Sequence, residues 1–205
     1  MKLYAVQIFK TFHGDTTANP VLCCEVCDVS SFGFFARSSA RQAIKFVGRE
    51  VSKRVAPGTR MSVTANETTM AHCHSRTDGI TAVVVSDPEY PVRVAFGLLR
   101  DVLEEFNTHF GGQLERIGPG HADSTCMWDG LQQSFTRYQN PQEVDKILQI
   151  RAQLDEVKSI MNESIERLLE RGETIDKLVD KSSDLHEASK TFYRATPKST
   201  CCPSS

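Results

Sequence analysis

No stretch of this sequence approaches the roughly 18 to 20 consecutive apolar residues that a membrane-spanning helix requires, so attachment to a bilayer would have to come from something other than an inserted segment. Net charge is nearly absent too. The 24 lysines and arginines almost match the 26 aspartates and glutamates, leaving −2 at neutral pH. That balance supplies none of the general attraction to polyanions on which nucleic-acid-binding domains rely, and no nucleic acid is expected as a partner. The opening "MKLYAVQIFK" lacks the apolar core and cleavage site of a secretory signal, and the cysteines number 7, an odd count. The expected compartment is the reducing cytosol, without disulfides. Phosphate-binding loops are missing as well: "FGG" and "GPGH" read as turns, with no Gly-Lys-Ser or Gly-x-Gly-x-x-Gly run between strand and helix. No spacing argues for a nucleophile with its base, so the chain is not expected to be an enzyme and no catalytic residue is assigned.

The cysteines and histidines do not make a metal site. Cys24 and Cys27 have C-x-x-C spacing in "CCEVC", and His72 and His74 flank Cys73. On strands, side chains alternate between faces, so Cys24 and Cys27 point apart while His72 and His74 share a face with only each other. That arrangement falls short of a zinc ligand set, and no metal or cofactor is expected. Cys126, in "HADSTCMWDG", has no basic pair beside it to make a reactive thiolate.

What is present divides the 205 residues into two regions of different period. The first mixes strands and helices. "KLYAVQIF" alternates, with Leu3, Ala5 and Gln7 on one face and Tyr4, Val6 and Ile8 on the other. "PVLCCEVCDV" is a second β-rich run, and the turn chemistry of "HGDTTANP" between them predicts a hairpin. A helix is expected from the capping-box spacing of Ser39 and Gln42 through Ile44, Val47, Val51 and Val55 to "APG". "RMSVTANETTMAHCHSR" and "GITAVVVSD" give further strands. A second helix follows Pro91 through Leu99, Leu103, Phe106 and Phe110 to a Gly-Gly stop, and "MWDGLQQSFTRY" gives a short third. The fold class is α+β, a mostly antiparallel sheet layered with helices.

The second region begins after "NPQ" and carries a heptad. Steps of three and four from Ile147 reach Ile150, Leu154, Val157, Met161, Ser164, Leu168, Arg171, Ile175, Leu178, Ser182, Leu185, Ser189 and Phe192, and 10 of these 14 positions are apolar. Such a seam faces other helices in a left-handed supercoil. As one helix it would be a rod of roughly 70 Å, which the first region is too small to cover. Arg171 sits in the seam between apolar layers. A buried guanidinium keeps its charge and brings five donors, so it needs several acceptors at its own level unless it reaches out to water.

"LLERGETIDKLVDKS", with its arginine in the central layer, resembles the R-SNARE motif of vesicle-fusion proteins. "EVCDVSSFGFFARSS", "EYPVR", "TFY" and the terminal "CC" pair resemble the longin-domain R-SNAREs of the Ykt-six type, in the same order along nearly the whole chain. The resemblance implies a longin domain over 1–135, a five-stranded sheet between one helix and two. It further implies a linker over 136–141, a coiled-coil R-SNARE motif over 142–200 and a lipidation motif over 201–205. Arg171 would then meet three glutamines donated by three Q-SNARE helices. Cys202 would carry a farnesyl group and Cys201 a second lipid, attached by prenyl- and acyl-transfer machinery, although Pro203 and Ser204 stand where the family has aliphatic residues. Two lipids hold a protein to a membrane far better than one. The implied location is the cytosol and the cytosolic face of Golgi, ER-derived, endosomal or vacuolar membranes. Phe32, Phe34 and Phe35 would belong to a groove that covers the chain's own coil or lipid at rest. The competing reading is a trafficking adaptor whose coil is a structural rod. As a homodimer, that rod would oppose two Arg171 charges.

Overall fold

The computed structural model describes residues 1–15, 17–123, 128–150, 160–169, 173–187 and 189–190, with side chains omitted at 147–150. Its centre is the expected antiparallel sheet: β1 (Leu3–Lys10), β2 (Val21–Cys27), β3 (Arg60–Asn66), β4 (Thr69–Ser75) and β5 (Ile80–Ser86). A sixth strand, β6 (Met161–Ser164), extends it, and the order is β2-β1-β5-β4-β3-β6. Both faces are covered. That explains why β5 is buried along its whole length and reads as a continuous apolar run rather than an alternation.

One face packs on α1 (Arg37–Arg54). Ala5, Phe9, Val63, Ala71, Val83 and Val85 meet Ile44, Val47 and Val51 there. The helix starts two residues before Ser39, led in by a 3-10 turn over Phe34–Ala36, so the anticipated capping box is not used. Gln42 is committed elsewhere, as described below. At Gly48 the helix comes so close to β1 that a Cβ would lie 1.8 Å from Gln7 Oε1, a proximity only glycine allows.

The other face packs on α2 (Val92–Leu114) and α3 (Asp129–Tyr138). Val6, Ile8, Ala82 and Val84 meet Leu98, Leu99, Val102 and Leu131. Leu3 joins this core rather than that of Ala5, because the pairing of β1 with β5 shifts register between Leu3 and Ala5. The strict alternation expected from sequence fails at that irregularity. The glycine pair Gly111–Gly112 does not end α2 either, which runs on so that Leu114 is buried. Tyr90 donates its hydroxyl to the Tyr138 carbonyl at 2.7 Å, and the Tyr138 hydroxyl donates to Asp101 at 2.6 Å, pinning α3 to α2. The helix α4 (Pro141–Ile150) docks on the same side: Val144 enters the core, and Arg93 grips Asp145 through two hydrogen bonds of 2.8 Å.

The 70-Å rod is not the state of this chain. Within the seam region the described residues form the end of α4, then β6, α5 (Ile165–Leu168) and α6 (Ile175–Lys181). Strand β6 pairs parallel to β3, from Met61 opposite Met161 to Thr64 opposite Ser164. The segment therefore begins on the α2 side, passes the β3 edge of the sheet and ends on the α1 side.

Candidate functional site: an intramolecular docking surface

The docking surface is built from three kinds of contact. The first is backbone. Strand β3 has an open edge of N–H and C=O groups, and β6 satisfies it, which both uses and hides a pairing site that would otherwise be free for another chain. The second is apolar. Ile165, Val179 and Leu185 are buried in the α1-side core, and Leu168, Ile175 and Leu178 pack against it. Thr174 starts α6 by accepting from the Lys177 N–H at 3.4 Å, which aims Ile175, Leu178 and Val179 at α1.

The third kind is electrostatic. Asp184 accepts from Arg49 Nε at 2.5 Å and lies 3.3 Å from Lys45 Nζ. Asp123, from the loop before α3, meets the same two cations at 2.7 Å each, and also accepts from the Leu22 N–H at 3.0 Å. Burial disfavours the Asp123 charge, but the hydrogen bonds from Lys45, Leu22 and Arg49 outweigh it and hold its carboxyl below the usual range. Farther along α1, Arg54 bridges its own neighbour Glu50 and Glu173 of the C-terminal segment, the latter at 3.0 Å. Near the other end of α1, Gln42 Oε1 accepts from the His186 N–H at 2.9 Å and from the Ser189 hydroxyl at 2.8 Å. From Glu173 to Ser189 the segment thus runs antiparallel to α1, from Arg54 back to Gln42.

The residues picked out by sequence are distributed unevenly. Of the seam, Leu168, Ile175, Leu178 and Leu185 are used against α1, and Ser189 is buried. Met161, in β6, is 45% exposed; Ser164 and Ser182 flank α5 and α6. The backbone of Ile147 and Ile150 is in α4. Arg171, Leu154, Val157, Phe192, Cys201 and Cys202 lie outside the described residues. Ile165 and Val179 are off the seam, each one residue after a seam position, yet both are buried in the α1-side core. A three-four stripe is narrower than the face a helix buries against a globular surface, and a wider stripe would have found both.

The three phenylalanines separate. Phe32 packs on Tyr4 with ring centroids 5.6 Å apart, and with Ala40, Ala43, Ile44 and Val47 it lines an apolar cavity of about 230 Å³. Phe34 and Phe35 lie outside that groove, 76% and 95% exposed. The expected three-phenylalanine groove is corrected to Phe32 alone, because the 3-10 turn carries the next two rings away from α1. Cys24 and Cys27 do face opposite layers, Cys24 in the α2-side core and Cys27 against the α1-side core. Burial, with Glu25 adding, pushes the Cys27 thiol up to about 12. His72 lies buried beneath Phe96, its Nδ1 2.8 Å from the Ser62 hydroxyl.

Comparison with known proteins places both regions. Residues 29–123 match the family model for the longin regulated-SNARE-like domain, and residues 146–200 match that for synaptobrevin. Over 202 residues the chain is 40% identical to the VAMP-like protein YKT61 of Arabidopsis thaliana and 37% identical to the synaptobrevin homolog YKT6 of Yarrowia lipolytica, covering 98% of both chains in each case. The synaptobrevin homolog ykt6 of Schizosaccharomyces pombe is 36% identical over 203 residues, again with 98% of each chain covered.

Proposed function

This chain belongs to the Ykt6-type family of longin-domain R-SNAREs, non-enzymatic proteins of vesicle trafficking that bundle with other SNARE helices, and from that membership we propose that it drives membrane fusion from a self-docked resting state. In the active state the segment 142–200 zippers with three Q-SNARE helices, and Arg171 donates to three glutamine side chains at the central layer. A polar layer of that kind fixes register and partner choice more than it adds stability. Cys202 and Cys201 carry the lipids that hold the chain to the cytosolic face of Golgi, ER-derived, endosomal or vacuolar membranes. No helix among the described residues is long and apolar enough to cross a membrane. The groove lined by Phe32 and Ile44 is the resting cover for part of this apolar cargo.

One observation carries the reading: Leu168, Ile175, Leu178 and Leu185 are packed on the longin domain, and a seam residue cannot fill the α1-side core and a four-helix bundle at once. Longin docking and bundle formation therefore compete for the same side chains, which makes the docked state autoinhibitory. The test mixes the full chain with three Q-SNARE helices and follows assembly of a four-component helical complex. Val179→Glu, which expels the segment, should speed assembly severalfold. Arg171→Ala should leave that rate alone but weaken or misregister the product, since the three glutamine oxygens would stay buried without a donor, at about 1–3 kcal/mol. Equal assembly rates for wild type and Val179→Glu would refute autoinhibition. An equally stable, in-register Arg171→Ala complex would refute the central-layer role.

A further inference from the structure

The turn at the start of α1 has no role in the docking described above, and its construction is unusual for a surface loop. Phe34 and Phe35 project into solvent with their rings edge to face, centroids 5.4 Å apart. They are not the by-product of a loose loop. Arg37 donates from Nε to the Phe32 carbonyl and from Nη2 to the Ser30 carbonyl, both at 3.2 Å. Asp28 accepts from the Ser30 N–H at 2.8 Å, and the Ala36 N–H closes the turn on the Gly33 carbonyl at 2.8 Å. Phe32, half-buried against Tyr4, anchors the base. A braced turn thus holds two adjacent aromatic side chains in water, where each forfeits the free energy that burial would supply.

Charge surrounds the tip. Over its length α1 carries six cations, Arg37, Arg41, Lys45, Arg49, Lys53 and Arg54, against the single carboxylate of Glu50, in a chain whose net charge is −2. The C-terminal segment neutralises the distal half, through Asp184 on Lys45 and Arg49 and Glu173 on Arg54. In the half beside the phenylalanines Arg41 makes no ion pair among the described residues, while Lys2 and Arg37 share the single carboxylate of Asp28 at the base of the turn, which leaves a net positive charge among these four groups.

We propose that the Phe34–Phe35 turn, with Arg37, Arg41 and Lys2 around it, docks the longin domain onto an anionic bilayer, the rings entering the interface and the cations meeting the headgroups. The surface is open while the C-terminal segment is docked, so it does not depend on release of that segment or on any lipid attached to the chain. A second copy of the chain is a poorer occupant. Two phenylalanines at a convex tip offer at most about 500 Å² of buried area, well below the roughly 1,000 Å² that marks a specific protein interface. A bilayer needs only a small inserted apolar group reinforced by positive charge.

The experiment uses the full chain with Cys201→Ser and Cys202→Ser, so that no attached lipid contributes, and vesicles of phosphatidylcholine alone or mixed equally with phosphatidylserine. Binding is expected to the mixed vesicles only, and to fall by on the order of tenfold for Phe34→Ser/Phe35→Ser and for Arg41→Glu. Unchanged circular dichroism of these exposed-site variants ties the loss to the surface. In a Phe34→Trp variant, fluorescence should shift to the blue on vesicle addition, reporting entry of the ring. Equal binding to neutral vesicles, or undiminished binding by Phe34→Ser/Phe35→Ser, would overturn the proposal. So would self-association of the parent chain that the double serine variant abolishes, which would assign the tip to a second copy.

Discussion

The longin sheet and the segment docked on it are held by different kinds of structure. The sheet is sandwiched between two cores, and its strands pair in long registers, six or seven partners to a pair. After α4, the described residues of the C-terminal segment contribute four residues of strand, two short helices, three buried aliphatic side chains (Ile165, Val179 and Leu185) and a few ion pairs, all laid on the outside of the sheet edge and α1. Removing the segment uncovers an edge and a helix face, whereas removing part of the sheet core opens the fold. The difference teaches where regulation can reside: an element that must be exchanged for partner helices has to be separable from the domain that restrains it.

The sharpest way to break this comparison is to cut each region by a similar amount. Leu99→Ala, at a fully buried position of α2, should cost about 2–5 kcal/mol and lower the melting transition of the whole domain. Val179→Ala removes a smaller side chain that is just as completely buried, yet its cost, about 1–3 kcal/mol, should fall on docking alone. Hydrogen exchange should quicken in 160–187 with the sheet amides and the melting midpoint unchanged. A global drop in stability from Val179→Ala would make the segment an integral part of the domain and end the distinction.

Acid should act on the sheet in the opposite sense, leaving the docked segment as a bystander. Burial holds the His72 ring neutral and pushes it down to about 4 from its ordinary 6.5, and its Nε2 has no hydrogen-bond partner. The unfolded chain takes up the proton first. Stability is therefore intact above pH 6.5, declines as the pH falls below that value and levels off near 4, a total of about 3 kcal/mol. Denaturant melts across that window should show the slope, and His72→Leu should flatten it while adding a pH-independent offset from the orphaned Ser62 hydroxyl. Release of the segment ahead of domain unfolding between pH 6 and 4.5 would place the acid-sensitive contact in the docking surface instead.

How much of this could be read from sequence follows the same division. The five sheet strands and three flanking helices announce themselves through alternation, apolar period and turn residues, because each is buried by local neighbours in a pattern the chain itself carries. The misses there are local: the β1 irregularity beside Leu3, the early start of α1 and the helical passage of α2 through Gly111–Gly112, where packing outweighs propensity. In the segment, periodicity led to one long helix, and "MNES" instead lies as a strand along β3. A heptad reports the partners it can have, and an isolated helix of that composition has little stability of its own in water. The edge of β3 and the cations of α1 compete for the same residues, and nothing in the period reveals that. Asp184 carries no motif, and neither the capping-box spacing of Gln42 nor the place of Glu173 in "LLERGETIDKLVDKS" foretells a docking contact; only the folded geometry brings Asp184 to Arg49, Glu173 to Arg54 and Gln42 to Ser189.

The smallest expected effect tests the comparison where the two states meet on one atom. Ser189 is a seam position, where a hydroxyl adds nothing to an apolar layer, yet in the docked state it is buried and donates to Gln42 Oε1 at 2.8 Å. Ser189→Ala removes that donor and leaves the layer of a helical bundle no worse filled. Gln42 Oε1 keeps its bond from the His186 N–H, so no acceptor is orphaned and the loss should stay near the net worth of one hydrogen bond, about 1 kcal/mol. All of it falls on the docked side of the equilibrium. The undocked population should rise by roughly fivefold, read as faster exchange in 173–187 and proportionally faster assembly with Q-SNARE helices, at unchanged complex stability. Faster exchange without faster assembly would mean that docking and bundling do not compete at this end of the segment. An unchanged exchange rate would mean that the Gln42 bond is made at no net gain over water, leaving Ile165, Val179 and the ion pairs of Asp184 and Glu173 to hold the segment.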